Sequence, residues 1–156
     1  MKKTLLRTTF SFLVFVFCSL SLSSQWVSIP DTNFGTWLNT NGYPACMQGD
    51  NSVGWQMDTT CPAVVNATDI NVFNLAIRDL TGITYFDNLQ RLQCQNNLLS
   101  NMPDLPSGLT DFSCQNNQFL TSLPGLPRNL WRLECENNQL TSLPNLPGGI
   151  TVINCS

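Results

Sequence analysis

Histidine is absent from the 156 residues, and charged side chains make up only 11%. Without histidine, Ser-His-Asp and Cys-His catalysis and histidine-ligated metal sites are excluded within this chain. Lysine is nearly missing as well: Lys2 and Lys3 stand at the N-terminus beside Arg7, and no lysine follows them. Downstream of Arg7 the cations are Arg78, Arg91, Arg128 and Arg132. Phosphate backbones and anionic membrane surfaces are held by clustered Lys and Arg, so neither nucleic acid nor a lipid surface is an expected partner.

The one apolar run, Phe10 to Leu20, is about half of the ~20 residues a spanning helix needs. It follows the basic residues and precedes the small residues Ser21, Ser23 and Ser24. That order is the one a secretory signal peptide shows, with cleavage after Ser24; a membrane anchor is the alternative. Bulky Phe17 before Cys18 argues against a lipoprotein cysteine. From residue 25 onward, four arginines against ten carboxylates leave a net charge of −6. The sequence thus implies a chain carried to the cell surface or secreted, with no transmembrane segment after processing.

What is abundant is repetition. Leu89-Gln-Arg-Leu92-Gln-Cys94-Gln-Asn-Asn97 returns as Leu109-Thr-Asp-Phe112-Ser-Cys114-Gln-Asn-Asn117 and as Leu130-Trp-Arg-Leu133-Glu-Cys135-Glu-Asn-Asn138. It begins again as Ile150-Thr-Val-Ile153-Asn-Cys155. The cysteines fall 20, 21 and 20 residues apart. A period near 20 marks a stack of small repeats, each unable to bury its apolar face alone. Leu-x-Cys reads as a short strand of period two, with Leu92, Phe112, Leu133 and the cysteines inward. Asn97, Asn117 and Asn138 fall at the turn after the strand, where a buried amide must bond backbone; they are expected as a structural ladder. Met102-Pro-Asp-Leu105-Pro, Leu123-Pro-Gly-Leu126-Pro and Leu143-Pro-Asn-Leu146-Pro should return as extended, PPII-like runs, because proline fixes φ and removes a donor. Cys94, Cys114, Cys135 and Cys155 are expected as reduced, buried thiols, since side chains in one parallel column point the same way. An earlier, degenerate copy starts at Asp69, with Leu75 in the asparagine slot.

Residues 25–68 lack this rhythm. Asp31 followed by Phe34, Trp37 and Leu38 predicts a short capped helix ending near Gly42. With Trp26 and Trp55 these side chains would cover the exposed end of the stack. Cys46 and Cys61 stand outside the repeats and are expected to pair, a reactive or metal-binding pair being the alternative. Asp50 and Asp58 lack the spacing of a calcium loop. Asn66-Ala67-Thr68 fits a glycosylation acceptor.

The Leu-x-x-Leu-x-Cys-x-x-Asn-x-Leu-x-x-Leu-Pro-x-Leu-Pro unit resembles the short bacterial class of leucine-rich repeats. Ile29-Pro-Asp-Thr-Asn33-Phe34 and Asp79-Leu-Thr-Gly-Ile83-Thr-Tyr-Phe86 look like the lead-in of secreted repeat proteins of Bacteroidetes-type bacteria. The resemblance covers nearly all of residues 25–156. It implies a leucine-rich-repeat solenoid: a right-handed β-α type arc of short parallel strands and extended convex segments, behind a small N-terminal helical cap. The repeats then occupy 69–156, the last incomplete at Ser156, so further domains in the same polypeptide are expected. Two departures stand out: the lead-in loop is bracketed by cysteines, and no C-terminal cap or sorting signal follows. The Leu-Pro repeats are also similar to those of injected effectors with ubiquitin-ligase domains, but no such domain is present.

The strand period places Asp69, Arg91, Asp111, Arg132 and Val152 in one outward column, Asn71, Gln93, Ser113, Glu134 and Asn154 in a second, and Phe73, Gln95, Gln115, Glu136 and Ser156 in a third. The resemblance implies a non-catalytic binding or adhesion module that recognises an extracellular protein or glycan through the concave face, with Arg91, Gln93, Gln95, Asp111, Ser113, Gln115, Arg132, Glu134 and Glu136 as candidate contacts. The alternative is a structural spacer, in which the alternating charges only steady neighbouring strands. A remoter one is glycan hydrolysis by Glu134 and Glu136, but an open surface does little to raise one carboxyl's pKa. No cofactor is implied.

Overall fold

The computed structural model describes residues 25–155; the signal-peptide reading of 1–24 and the column place of Ser156 lie outside them. The chain runs through β1 (Trp26–Ile29), α1 (Thr32–Thr40), β2 (Met47–Asp50), β3 (Gly54–Asp58) and the one-turn α2 (Pro62–Val65). Helix α1 starts where Asp31 accepts the Phe34 N–H at 2.9 Å, and it buries Phe34 and Leu38 with Trp37 half-covered. The segment is more than the helix its apolar spacing suggests. Strands β1, β3 and β2 pair antiparallel in that order, and β3 buries Trp55 and Met57 while Gln56 faces water. Gly35 lies so close against the Trp55 indole that a Cβ has no room there. Trp26, by contrast, stays 38% exposed. Cys46 and Cys61 are joined by a disulfide. It ties the start of β2 to the start of α2, and closing a loop of this length contributes roughly 3 kcal/mol in the chain-entropy model.

Beyond α2 the chain winds into a solenoid. Five three-residue strands, β4 (Asp69–Asn71), β5 (Arg91–Gln93), β6 (Asp111–Ser113), β7 (Arg132–Glu134) and β8 (Val152–Asn154), form one parallel sheet in chain order. Ile70, Leu92, Phe112, Leu133 and Ile153 are in register and point to the core side, where the first four are fully buried. Each turn re-enters the sheet through the same bend. The N–H of Leu89, Leu109, Leu130 and Ile150 donates to the carbonyl of Phe86, Pro106, Pro127 and Pro147. This is why an apolar residue opens every copy of the repeat: it is anchored at the bend and, in the first three, wholly buried.

The asparagine doublet that follows each strand divides its work. Asn96, Asn116 and Asn137 adopt left-handed backbone, with φ near +58°, a conformation asparagine tolerates better than most residues. The second asparagine of each doublet turns inward. Asn117 Nδ2 donates to the carbonyls of Cys94 and Cys114, and its Oδ1 accepts the Leu99 N–H. Asn97 joins Val72 and Cys94 carbonyls and accepts the N–H groups of Leu75 and Ile77. Asn138 joins Cys114 and Cys135 and accepts the Asn117 N–H. The single 21-residue spacing is absorbed between Asn117 and Leu120, where Phe119 is pushed out to 47% exposure. On the return side, Met102, Leu105, Leu123 and Leu126 pack against the core from partly covered positions, while Leu143 and Leu146 of the last return are exposed.

One expectation is corrected here. Cys135 and Cys155 are not reduced thiols but a disulfide, with Cα atoms 4.7 Å apart. Parallel alignment does not prevent pairing, because one strand spacing already lies within the range disulfides span. Cys155 also sits half-covered, just after β8. Cys94 and Cys114, deeper in the column, are free and buried.

The N-terminal unit and the solenoid share one continuous core, and Asp31 stitches them together. While Oδ1 caps α1, Oδ2 accepts the N–H groups of Arg78 at 2.7 Å and Asp79 at 3.3 Å. Gly82, in left-handed backbone at φ +105°, lets Ile29 close against it. Asp31→Ala removes both the cap and the tie, and should lower the unfolding free energy in urea by about 2 kcal/mol, the upper end for a helix cap. A loss no larger than a few tenths would show that the tie carries nothing.

Candidate functional site

The water-facing side of the parallel sheet carries the polar columns. Asp69, Arg91, Asp111, Arg132 and Val152 stand opposite one another on successive strands. Strands lie about 4.8 Å apart, so alternating charge becomes a chain of ion pairs. Arg91 Nη1 meets Asp69 at 3.1 Å and its Nε meets Asp111 at 3.4 Å, while Arg132 Nη1 reaches Asp111 at 3.6 Å. The arginines differ from the acid between them. Arg91 is 52% exposed at its side chain, whereas Asp111 is 8% exposed. Pairs as open as Arg91–Asp69 contribute about 0.2–1 kcal/mol each. Asp111, flanked by two guanidinium groups, is the pinned centre of the row.

Glu134 is the second hub. Its Oε1 accepts from Arg132 Nη2 at 2.7 Å, and its Oε2 from Ser113 Oγ at 3.0 Å and Gln115 Nε2 at 3.4 Å. Burial acts to raise its pKa. The hydrogen bonds from Arg132 and Ser113, the Arg132 charge and the Gln115 bond together outweigh that and hold the carboxyl below the usual glutamate range. A general acid for glycoside hydrolysis needs the opposite shift. Gln93 is half-buried between Asn71 and Ser113 in the same column. In the third column Phe73 is 47% exposed, and Gln95 Oε1, Gln115 Oε1 and Glu136 Oε2 are shielded acceptors without a donor among the described residues.

Pattern reading missed the row one residue ahead of the strands: Thr68, Gln90, Thr110, Trp131 and Thr151. Their backbone joins successive turns, since the Thr68, Gln90, Thr110 and Trp131 carbonyls each accept two N–H groups from the next strand start. The side chains of Thr68, Gln90, Trp131 and Thr151 are exposed, Trp131 at 43%, while Thr110 is half-buried and its hydroxyl donates to the Gln90 carbonyl at 3.0 Å. Trp131 borders a cleft of about 170 Å³ walled by Asp69, Arg91, Thr110 and Asp111, with Gln90 and Thr68 at its end. The signal was there, because a lone tryptophan interrupts a row of Thr and Gln. The remaining predicted residues divide between two tasks. Asn97, Asn117 and Asn138 spend their amides on backbone, and Cys46 and Cys61 are bonded to each other on the N-terminal unit. Asp50, considered above for calcium, accepts Ser52 and Val53 N–H groups and shapes the turn between β2 and β3.

A carboxyl depressed in the folded state adds stability above its unfolded pKa, and that contribution is lost as pH falls through the folded value. Glu134→Gln should therefore be less stable than wild type at pH 7, with the gap closing below about pH 4.3 as wild-type Glu134 protonates. Urea midpoints at pH 7 and pH 3 read this; parallel pH profiles would contradict it. No known protein family matches the chain by its sequence profile, and no curated protein matches it either.

Proposed function

We infer that the chain is a non-catalytic recognition module of the cell exterior, built on leucine-rich repeats of the secreted bacterial kind. In this reading the N-terminal unit caps the stack, and a protein or glycan lies across the side of the sheet that carries the polar columns. The observation that carries it is Trp131, a large aromatic left 43% exposed beside a cleft that also holds the Arg91–Asp69 pair. Tryptophan and arginine dominate the energy of protein contacts. An indole beside planar polar groups also suits a sugar ring, with apolar contact on one side and hydroxyl partners on the other. The two disulfides fit an oxidising compartment. Among the described residues no helix is long and apolar enough to cross a membrane.

The rival reading is a structural spacer. The ion-pair row favours it, because Arg91, Asp111, Arg132 and Glu134 are already engaged with one another. Immobilised protein exposed to a glycan panel and to extracellular protein fractions separates the two. Recognition predicts saturable binding that Trp131→Ala and Arg91→Glu each weaken by about tenfold or more, a loss of ~1.4 kcal/mol. Cys46→Ala/Cys61→Ala, remote from the cleft, should leave affinity at temperatures where that variant stays folded. Absence of any saturable ligand, or binding indifferent to both cleft substitutions, would favour the spacer.

A further inference from the structure

Four cysteines follow the strands of successive turns, and their backbones are held alike. The Cys94 N–H donates to the Ser113 carbonyl at 2.9 Å, as the Cys135 N–H does to the Asn154 carbonyl at 2.7 Å. The Cys114 N–H donates likewise to the Glu134 carbonyl at 2.8 Å, so each acceptor is the residue just before the next cysteine and all three neighbouring pairs share one backbone relation. With Cys135 bonded to Cys155, Cys94 is the neighbour left to Cys114. Both pairs are 20 residues apart in sequence, whereas Cys114 and Cys135 are 21 apart, across the turn with the extra residue. The last pair is bonded. The first pair is not, and these are the two free cysteines among the described residues. Leaving two thiols in a chain that already carries two disulfides is chemically uneven, and pairing in twos along the column consumes every cysteine from residue 25 onward.

We propose that Cys94 and Cys114 are a second site of covalent closure, oxidised to a disulfide that staples β5 to β6 as Cys135–Cys155 staples β7 to β8. The step is thiol–disulfide exchange with an external disulfide, from a protein or a small molecule. One cysteine thiolate attacks a sulfur of that disulfide, forming a mixed disulfide and releasing one thiol. The other then attacks the mixed disulfide, forming the Cys94–Cys114 bond and releasing the second thiol. The two protons given up by Cys94 and Cys114 end on the two released thiols, and the two electrons end on the external pair. Cys94 Sγ already leans across the strand gap, donating to the Ser113 carbonyl at 3.4 Å. Rotation about its Cα–Cβ bond replaces that weak contact with the S–S bond. In the closed stack both side chains are wholly buried, and burial pushes both thiols well above the usual cysteine range. Thiolate is then scarce and the oxidant is shut out, so closure belongs to folding, before the neighbouring turns pack over the column. The inference does not depend on what the sheet face binds.

The test is a disulfide map of the full chain exported to an oxidising compartment, denatured and alkylated without reduction. Cleavage at arginine and before aspartate separates 92–103, which carries Cys94, from 111–128, which carries Cys114, and from 133–156, which carries Cys135 and Cys155. The expected result is no alkylation at Cys94 or Cys114 and a linked 92–103/111–128 pair that separates on reduction. Alkylated Cys94 and Cys114 would overturn the proposal. So would a link between 111–128 and 133–156, which would show Cys114 paired with the wrong neighbour.

Discussion

Where the chain leaves each short strand, backbone carbonyls and N–H groups turn away from water toward the core. The amides of Asn97, Asn117 and Asn138 meet them there. An unpaired buried backbone group costs about 1–3 kcal/mol, and each corner exposes several. A three-residue strand cannot offset that alone, so the corner amide decides whether a turn closes. Each asparagine also reaches back to the preceding turn, through Val72, Cys94 and Cys114 carbonyls, so closure of one turn is bonded to its neighbour. Stability in such a stack is a sum of nearest-neighbour terms, and the ladder is the polar part of that sum.

The ends of the stack show the same constraint met by other means. The first turn has Leu75 where the others have asparagine. Its Leu75 and Ile77 N–H groups are taken by Asn97 from the next turn, and those of Arg78 and Asp79 by Asp31 from the N-terminal unit. At the other end Ile153 keeps 42% of its surface exposed, because no further turn packs on it among the described residues. The Cys135–Cys155 bond there supplies a covalent tie between the last two strands.

Much of the solenoid is readable from residue types because each slot is a separate physical demand. Leu at the bend, Leu-x-Cys along the strand and asparagine at the corner each answer burial or hydrogen bonding, and the register follows from their spacing. The N-terminal sheet is less legible. Its strands are four or five residues long, and β1 opens on two adjacent apolar residues, Trp26 and Val27, of which one faces out and one in. The cysteine chemistry was hidden for another reason: residue type and spacing do not distinguish a packed thiol from a paired one, and the pairing of Cys135 with Cys155 depends on a Cα separation. The charge columns were legible as alternation, but not the burial of Asp111 or the convergence on Glu134, which depend on side-chain rotamers. Trp131 escaped because it lies one position ahead of the strand pattern.

The water-facing side of the parallel sheet is therefore a surface held from behind by the ladder, with Trp131 and the Arg91–Asp69 pair turned outward. Amide hydrogen exchange tests that ladder most directly. In the intact protein the Leu99 and Ile77 N–H groups, bonded to Asn117 and Asn97, should exchange as slowly as the strand amides. In Asn117→Ala, Leu99 should become fast while Ile77 keeps its protection. Equal, loop-like exchange of both in the intact protein, or a Leu99 amide indifferent to the substitution, would contradict it.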